Sequence, residues 1–204
     1  MTDIGDRPAL LLVDPQRKFS RIREDWKEAM EAGVEGMNRF ISVFRRAGAP
    51  IVFMRYVGPS HLTYDGDDGD EWLEGIDFRS DPVLDKGYMN SFRETCLAEK
   101  LSDLGVDSLV IAGMVTQACV MSTYYAAFDH GFLPHLAKGA LISTEDRIND
   151  AAEVLCGAVD LQSVERALTR HGQVRGDIGS GLGNSTFSEF LRNRHLHPRL
   201  SRQG

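Results

Sequence analysis

The chain predicts an α/β protein, a three-layer α-β-α architecture around a six-stranded, mostly parallel sheet, and three observations lead there. Short apolar runs alternate with longer segments of helical periodicity along most of the 204 residues, the order expected of strands joined by crossover helices. The runs are continuously apolar rather than alternating, as in strands covered on both faces. Several are closed at once by a charged residue or a glycine, where a parallel sheet presents its loops.

The elements follow in order. Pro8-Ala9-Leu10-Leu11-Leu12-Val13 ends on Asp14 and Pro15 and reads as a central parallel strand. A helix over residues 26–47 places Ala29, Val34, Met37, Phe40, Ile41 and Phe44 three or four apart, with Gly48 as its stop. Residues 50–54 form a second buried strand. Between Asp65 and Asp77 seven acidic residues stand among glycines, a pattern without periodicity that reads as a surface loop. A short third strand over 82–84 and a helix over 92–104 lead to a fourth strand over 108–112. A helix over 119–130 ends at Gly131, and then come a fifth strand over 132–137, a helix over 145–155, a short sixth strand over 158–161 and a helix over 163–170.

Composition narrows the function. A hydrophobic fraction of 42% and a charged fraction of 26% describe an ordinary globular chain. The net charge of -7 disfavours nucleic acid and anionic membrane surfaces as partners. The longest apolar stretch, residues 9–13, is far too short to span a bilayer. Three cysteines do not make a disulfide framework, and residues 1–7 carry Asp3 and Asp6 with neither a basic nor a long apolar stretch, so a cytoplasmic protein is expected.

Sites in parallel sheets form beyond the carboxyl ends of the strands, which draws attention to Asp14, Arg55, Lys86 and residues 113–119. Cys119 falls at a strand end and the first turn of a helix, where free N–H groups and the positive helix end are expected to lower its pKa. By itself it reads first as an inert core cysteine. Asp14 reads as a costly buried carboxylate or as an Asx-type turn before Pro15. Lys86 reads as a functional cation or as a solvated partner of Asp85. Together the three have a chemical logic: a thiol nucleophile, a carboxylate that accepts its proton and a cation that holds the carboxylate ionised.

Three motifs in order, LLLVDPQRKF, DKGYMNSF and GMVTQACVMSTYYAAFDHGF, carry a resemblance to the isochorismatase-like hydrolase superfamily, the cysteine hydrolases. The likeness spans about residues 8–171. It implies a Rossmann-like three-layer fold with a domain over 1–171 and, outside it, a Gly-rich connector and short C-terminal helix over 172–204. It also implies Cys119 as nucleophile, Asp14 as general base and acid, Lys86 as charge partner of both, and an oxyanion hole from the N–H groups of Val115 and Cys119 beside a cis peptide at Met114-Val115. The reaction implied is hydrolysis of a small amide, carbamoyl or ureido compound through a thioester, with no cofactor and no metal. Two alternatives stay open: hydrolysis of a vinyl ether with Asp14 as acid, and a non-catalytic binding or scaffold protein. The family often has Gln-Asn-Asp-Phe where this chain has Gln16-Arg17-Lys18-Phe19, which changes the charge at the entrance of the site.

Nicotinamidases of the superfamily carry Asp-x-His-x-x-x-His after the second strand, and here only His61 answers to it, too little for zinc. Arg55 and His61 are weaker candidates for substrate binding, each read first as a solvated loop position. Residues 65–70 resemble a calcium loop only superficially, and Gly179-Ser180-Gly181-Leu182-Gly183 reads as a linker rather than a phosphate cradle. Thr186 to Glu189 fits a capping box for a helix to about Arg194. Its Phe187, Phe190 and Leu191 would pack on a neighbour or on their own domain. The expected partners are a small-molecule substrate and further copies of the chain in a homodimer or homotetramer.

Overall fold

The computed structural model describes residues 4–22, 25–58 and 71–177, residue 21 and residues 171–177 by their backbone alone. Its sheet has five strands, β1 (Pro8–Val13), β2 (Ile51–Tyr56), β3 (Val83–Lys86), β4 (Ser108–Met114) and β5 (Leu133–Ile142), all parallel in the order β3-β2-β1-β4-β5. Helices α1 (Lys27–Ala47), α2 (Leu97–Asp103), α3 (Met121–Asp129), α4 (Asp146–Leu155) and α5 (Leu161–Asp177) complete it. Among the described residues no helix is long and apolar enough to cross a membrane.

Strand side chains alternate between two separate cores, one on each face of the sheet. Leu10, Leu12, Phe53 and Val110 pack with Met37, Phe40 and Phe44 of α1 and Val164 of α5. Leu11, Val13, Val52 and Ile111 pack with Leu97 of α2, Tyr124 of α3 and Ala152 of α4. Leu10, Leu11 and Leu12 are all fully buried, each contributing about 1.5–3 kcal/mol of transfer free energy. That two-sided burial is why β1 is apolar throughout instead of alternating.

Gly36 allows α1 to lie against β5: a Cβ there would come within 1.8 Å of the Gly139 carbonyl oxygen. The helix ends as its sequence indicates, with Gly48 left-handed at φ 63° and the amides of Gly48 and Ala49 bonded to the carbonyls of Arg45 and Phe44. Arg45, in the last turn, binds the Asp77 carboxylate at 2.5 Å, the Asp77 carbonyl at 2.7 Å and the Asp81 carboxylate. It thereby ties the approach to β3 onto α1. The Arg79 guanidinium, followed by that of Arg45, holds Asp77 below its ordinary value of 3.8. The stabilisation is therefore present above that value and lost as the pH falls through the depressed one. Arg45→Met is expected to cost about 2 kcal/mol in urea unfolding at neutral pH, and less in acid.

Several elements differ from expectation, each for a local reason. The sixth strand is reduced to one parallel bridge between Val159 and Ala137. Asp160 ends it, because its carboxylate accepts the Ser163 amide at 2.7 Å and caps α5 from Leu161. β5 runs five residues beyond its expected end, through Lys138 and Gly139, where its register with β4 is interrupted before pairing resumes at Leu141 and Ile142. The helix expected from residue 92 begins only at Leu97, after a turn in which Glu94 has φ 56° and Thr95 Oγ1 donates to the Ser91 carbonyl. α5 continues to Asp177, past the boundary expected at residue 171. The remainder of the connector and the helix expected over 186–194 lie outside the described residues.

Candidate active site

The chain proceeds from β1 outward to β2 and β3, then crosses to the other side of β1 to lay down β4 and β5. The reversal falls between β1 and β4, and the region beyond their carboxyl ends is the place where open parallel sheets bind ligands. Asp14 follows β1 and residues 115–119 follow β4, so both enter it. Gly113 lets them come close: it has φ 122°, and a Cβ on it would stand 2.1 Å from the Val13 carbonyl oxygen. Asp14 is itself left-handed at φ 48°, a conformation aspartate tolerates better than most residues. Its amide bonds to the Met54 carbonyl at 3.2 Å.

Lys86 ends β3, two strands away, and its side chain passes Tyr56 with Nζ 5.3 Å from the ring centre. Nζ reaches Asp14 Oδ2 at 2.7 Å, with both side chains fully buried. It also donates to the carbonyls of Tyr88 at 3.0 Å and Met89 at 3.1 Å. Cys119 lies in a π-helical turn, Thr116–Val120, that leads directly into α3, and its buried thiol stands beside both Asp14 and Lys86. The Met114-Val115 peptide is cis. Thr116, just beyond, donates from Oγ1 to the Ile142 carbonyl at 3.0 Å and approaches Asn149 Oδ1 at 2.7 Å.

The electrostatics correct one expectation. The Cys119 thiol is pushed up to about 12, first by burial and then by the adjacent Asp14 carboxylate, against the pull of Lys86. Burial outweighs any gain from the helix end. Asp14 is likewise raised above its ordinary value by burial, with Lys86 opposing. The thiol is therefore neutral near pH 7, beside an Asp14 whose proton affinity burial increases.

Arg55 does not join this cluster through its ion pair. It makes a two-point pair with Asp85, Nε to Oδ1 at 2.7 Å and Nη2 to Oδ2 at 3.0 Å, in register across β2 and β3. It lines a cleft of about 320 Å³ with Asp85, Glu94, Thr95 and Cys96. His61 and residues 65–70 lie outside the described residues. Cys96, Cys119 and Cys156 are all free thiols. Among the described residues no three His, Cys, Asp or Glu side chains are grouped as metal ligands.

Other contributors are visible only in three dimensions. Gln16 is fully buried and clamps β2, accepting from the Tyr56 amide at 2.7 Å and donating to its carbonyl at 3.3 Å. Lys18 Nζ donates to the same carbonyl and stands 5.3 Å from the Tyr56 ring centre. The Tyr56 phenol is held above its usual value, by burial first and then by Cys119. Tyr56 ends an apolar strand and gave no signal in the sequence, whereas Gln16 and Lys18 adjoin Asp14 within the first motif.

The profile of the Isochorismatase domain family matches residues 8–163. The chain belongs to the isochorismatase family. An uncharacterized isochorismatase family protein of Bacillus subtilis (strain 168) is 27% identical over 146 residues, 70% of this chain and 81% of the relative. Maleamate amidohydrolase of Pseudomonas putida is 27% identical over 151 residues, 63% of this chain and 68% of that one. The crystal structure of N-carbamoylsarcosine amidase from Thermoplasma acidophilum is similar with a TM-score of 0.64 at 27% identity, over 76% of this chain and 95% of that one. The same three-layer fold thus carries this isochorismatase-family chain.

Proposed function

We propose that this isochorismatase-family protein is a cysteine-dependent hydrolase of a small amide, carbamoyl or ureido compound. The observation that carries the reading is the contact of the Cys119 thiol with an Asp14–Lys86 ion pair at the switch point of the sheet. Relatives named as an amidohydrolase and an amidase support the carbon–nitrogen bond as target.

Cys119 Sγ attacks the substrate carbonyl carbon while its proton passes to Asp14, whose raised basicity suits it to a thiol that is otherwise reluctant to ionise. Lys86 stands beside both groups. The amides of Val115 and Cys119 would hold the developing oxyanion. Asp14 then returns the proton to the leaving nitrogen, the C–N bond breaks, and an acyl thioester remains on Cys119. Water, deprotonated by Asp14, adds to the thioester, the C–S bond breaks, and the acid leaves as the thiol regains its proton.

The test is ammonia release from a panel of amides, carbamoyl amino acids and ureides, followed by mass analysis of the Cys119 peptide after rapid acid quench with the best substrate. A mass increase equal to the acyl group is expected. Ammonia release without any adduct on Cys119, including under single-turnover conditions, would instead favour direct attack by water.

A further inference from the structure

We propose that Thr123 is a positioning residue for the reaction: it holds the turn whose carbonyls orient Lys86, and so sets where the ammonium stands between Asp14 and Cys119. The inference rests on the roles just assigned to those three residues.

An ammonium has three protons to place. On Lys86 two are directed to the Tyr88 and Met89 carbonyls at 3.0 and 3.1 Å, while Asp14 Oδ2 stands 2.7 Å from Nζ as its ion-pair partner. Two of its three oxygen partners thus come from a segment between β3 and α2 that belongs to neither. Such a segment is only as well placed as its own anchors.

Thr123 is an anchor to both ends of that turn. Its Oγ1 accepts the Ser91 amide at 3.1 Å, stands 2.8 Å from Ser91 Oγ and lies 3.5 Å from the Met89 carbonyl oxygen. Thr95 Oγ1 holds the Ser91 carbonyl from the other side at 2.6 Å. Ser91 and Thr123 are fully buried, so this grip has no water to replace it.

Thr123 is also four residues beyond Cys119, on α3, which continues the π-helical turn of the nucleophile. One rigid helical segment therefore carries the thiol and, one turn later, the hydroxyl that fixes the support of the cation. A shift of the 89–91 turn moves Lys86 relative to both Asp14 and Cys119, and small displacements of charged groups cost large factors in rate. Valine at 123 keeps the shape but leaves the buried Ser91 amide without its acceptor and the Ser91 hydroxyl oxygen without its donor.

The experiment measures alkylation of Cys119 by iodoacetamide as a function of pH, read by peptide mass, in the full chain and in Thr123→Val, Thr123→Ser and Lys86→Met. Thermal unfolding checks that each is folded. Thr123→Val is expected to be alkylated roughly tenfold more slowly near pH 8, the change that a displacement of the profile by about one pH unit produces, and in the same direction as Lys86→Met. Thr123→Ser is expected to restore the parent profile. A parent-like profile for Thr123→Val beside a displaced one for Lys86→Met overturns this proposal alone. An undisplaced Lys86→Met profile overturns the role given to Lys86, and this proposal with it. Should Thr123→Val not fold, Ser91→Ala, which removes the hydroxyl on the other side of the grip, decides: a displaced profile supports the proposal and a parent profile overturns it.

Discussion

Cys119→Ala is expected to lower turnover by at least about 10³-fold, the scale on which loss of a covalent nucleophile is felt, with the fold retained. The sulfur is buried in the core between α2, α3 and the sheet, and removing one such atom costs about 1 kcal/mol or less of packing. The Asp14–Lys86 ion pair does not depend on it. What disappears is the atom proposed to become acylated, while Asp14 and the backbone amides at residues 115–119 remain. Steady-state ammonia release on the best substrate, with a melting curve beside it, checks both halves. Turnover at the parent rate in a folded Cys119→Ala protein would end the thioester mechanism. A parent rate on a vinyl ether would assign the chain to the alternative chemistry.

Lys86→Met is expected to cost about 3–5 kcal/mol at neutral pH, because it leaves a buried carboxylate without its cation, and to displace the activity profile toward alkaline pH. The cause of both is the same. With Lys86 present, the site can hold a proton-accepting Asp14 and a thiol at no net charge. Without it, either the carboxylate or the thiolate is a lone buried anion, so the neutral pair of acid and thiol prevails until the pH is high. The sign of the stability change follows from the direction of the Asp14 shift. Burial already raises Asp14 above 3.8 with Lys86 opposing, so its loss raises Asp14 further. A carboxyl that binds its proton more tightly in the folded chain stabilises it below the unfolded value, and that contribution is lost as pH rises through the folded one. Lys86→Met should therefore lie closest to the parent near pH 4 and fall away toward neutrality. Urea unfolding at a series of pH values reads this directly, and a deficit that instead grew in acid would contradict the buried ion pair.

The α/β class, the central position of β1 and the candidates Asp14, Lys86 and Cys119 were legible because each depends on local chemistry. Continuous apolar runs are what burial on both faces requires, as the two cores around Leu10, Leu11 and Leu12 show. A carboxylate, a lysine and a cysteine at the ends of such runs must lie on one rim of a parallel sheet, whatever the loops do. The sixth strand was less secure, since a few apolar residues can form either a strand or a helix entrance, and Asp160 resolved it toward the helix.

Ionisation, by contrast, belonged to the tertiary structure. The sequence alone placed Cys119 at a helix start and so suggested a lowered thiol pKa, but depth of burial and the proximity of Asp14 reversed the direction. Both depend on residues far apart in the chain meeting in space. The same holds for the pairing of Arg55 with Asp85, which strand register created, and for the grip of Thr123 on the turn beneath Lys86. Residue order determined the sheet and the chemical types at its rim, because polarity and periodicity act locally. Folding alone decided which of those groups are charged and which are held, because desolvation and hydrogen-bond geometry depend on every atom packed around them.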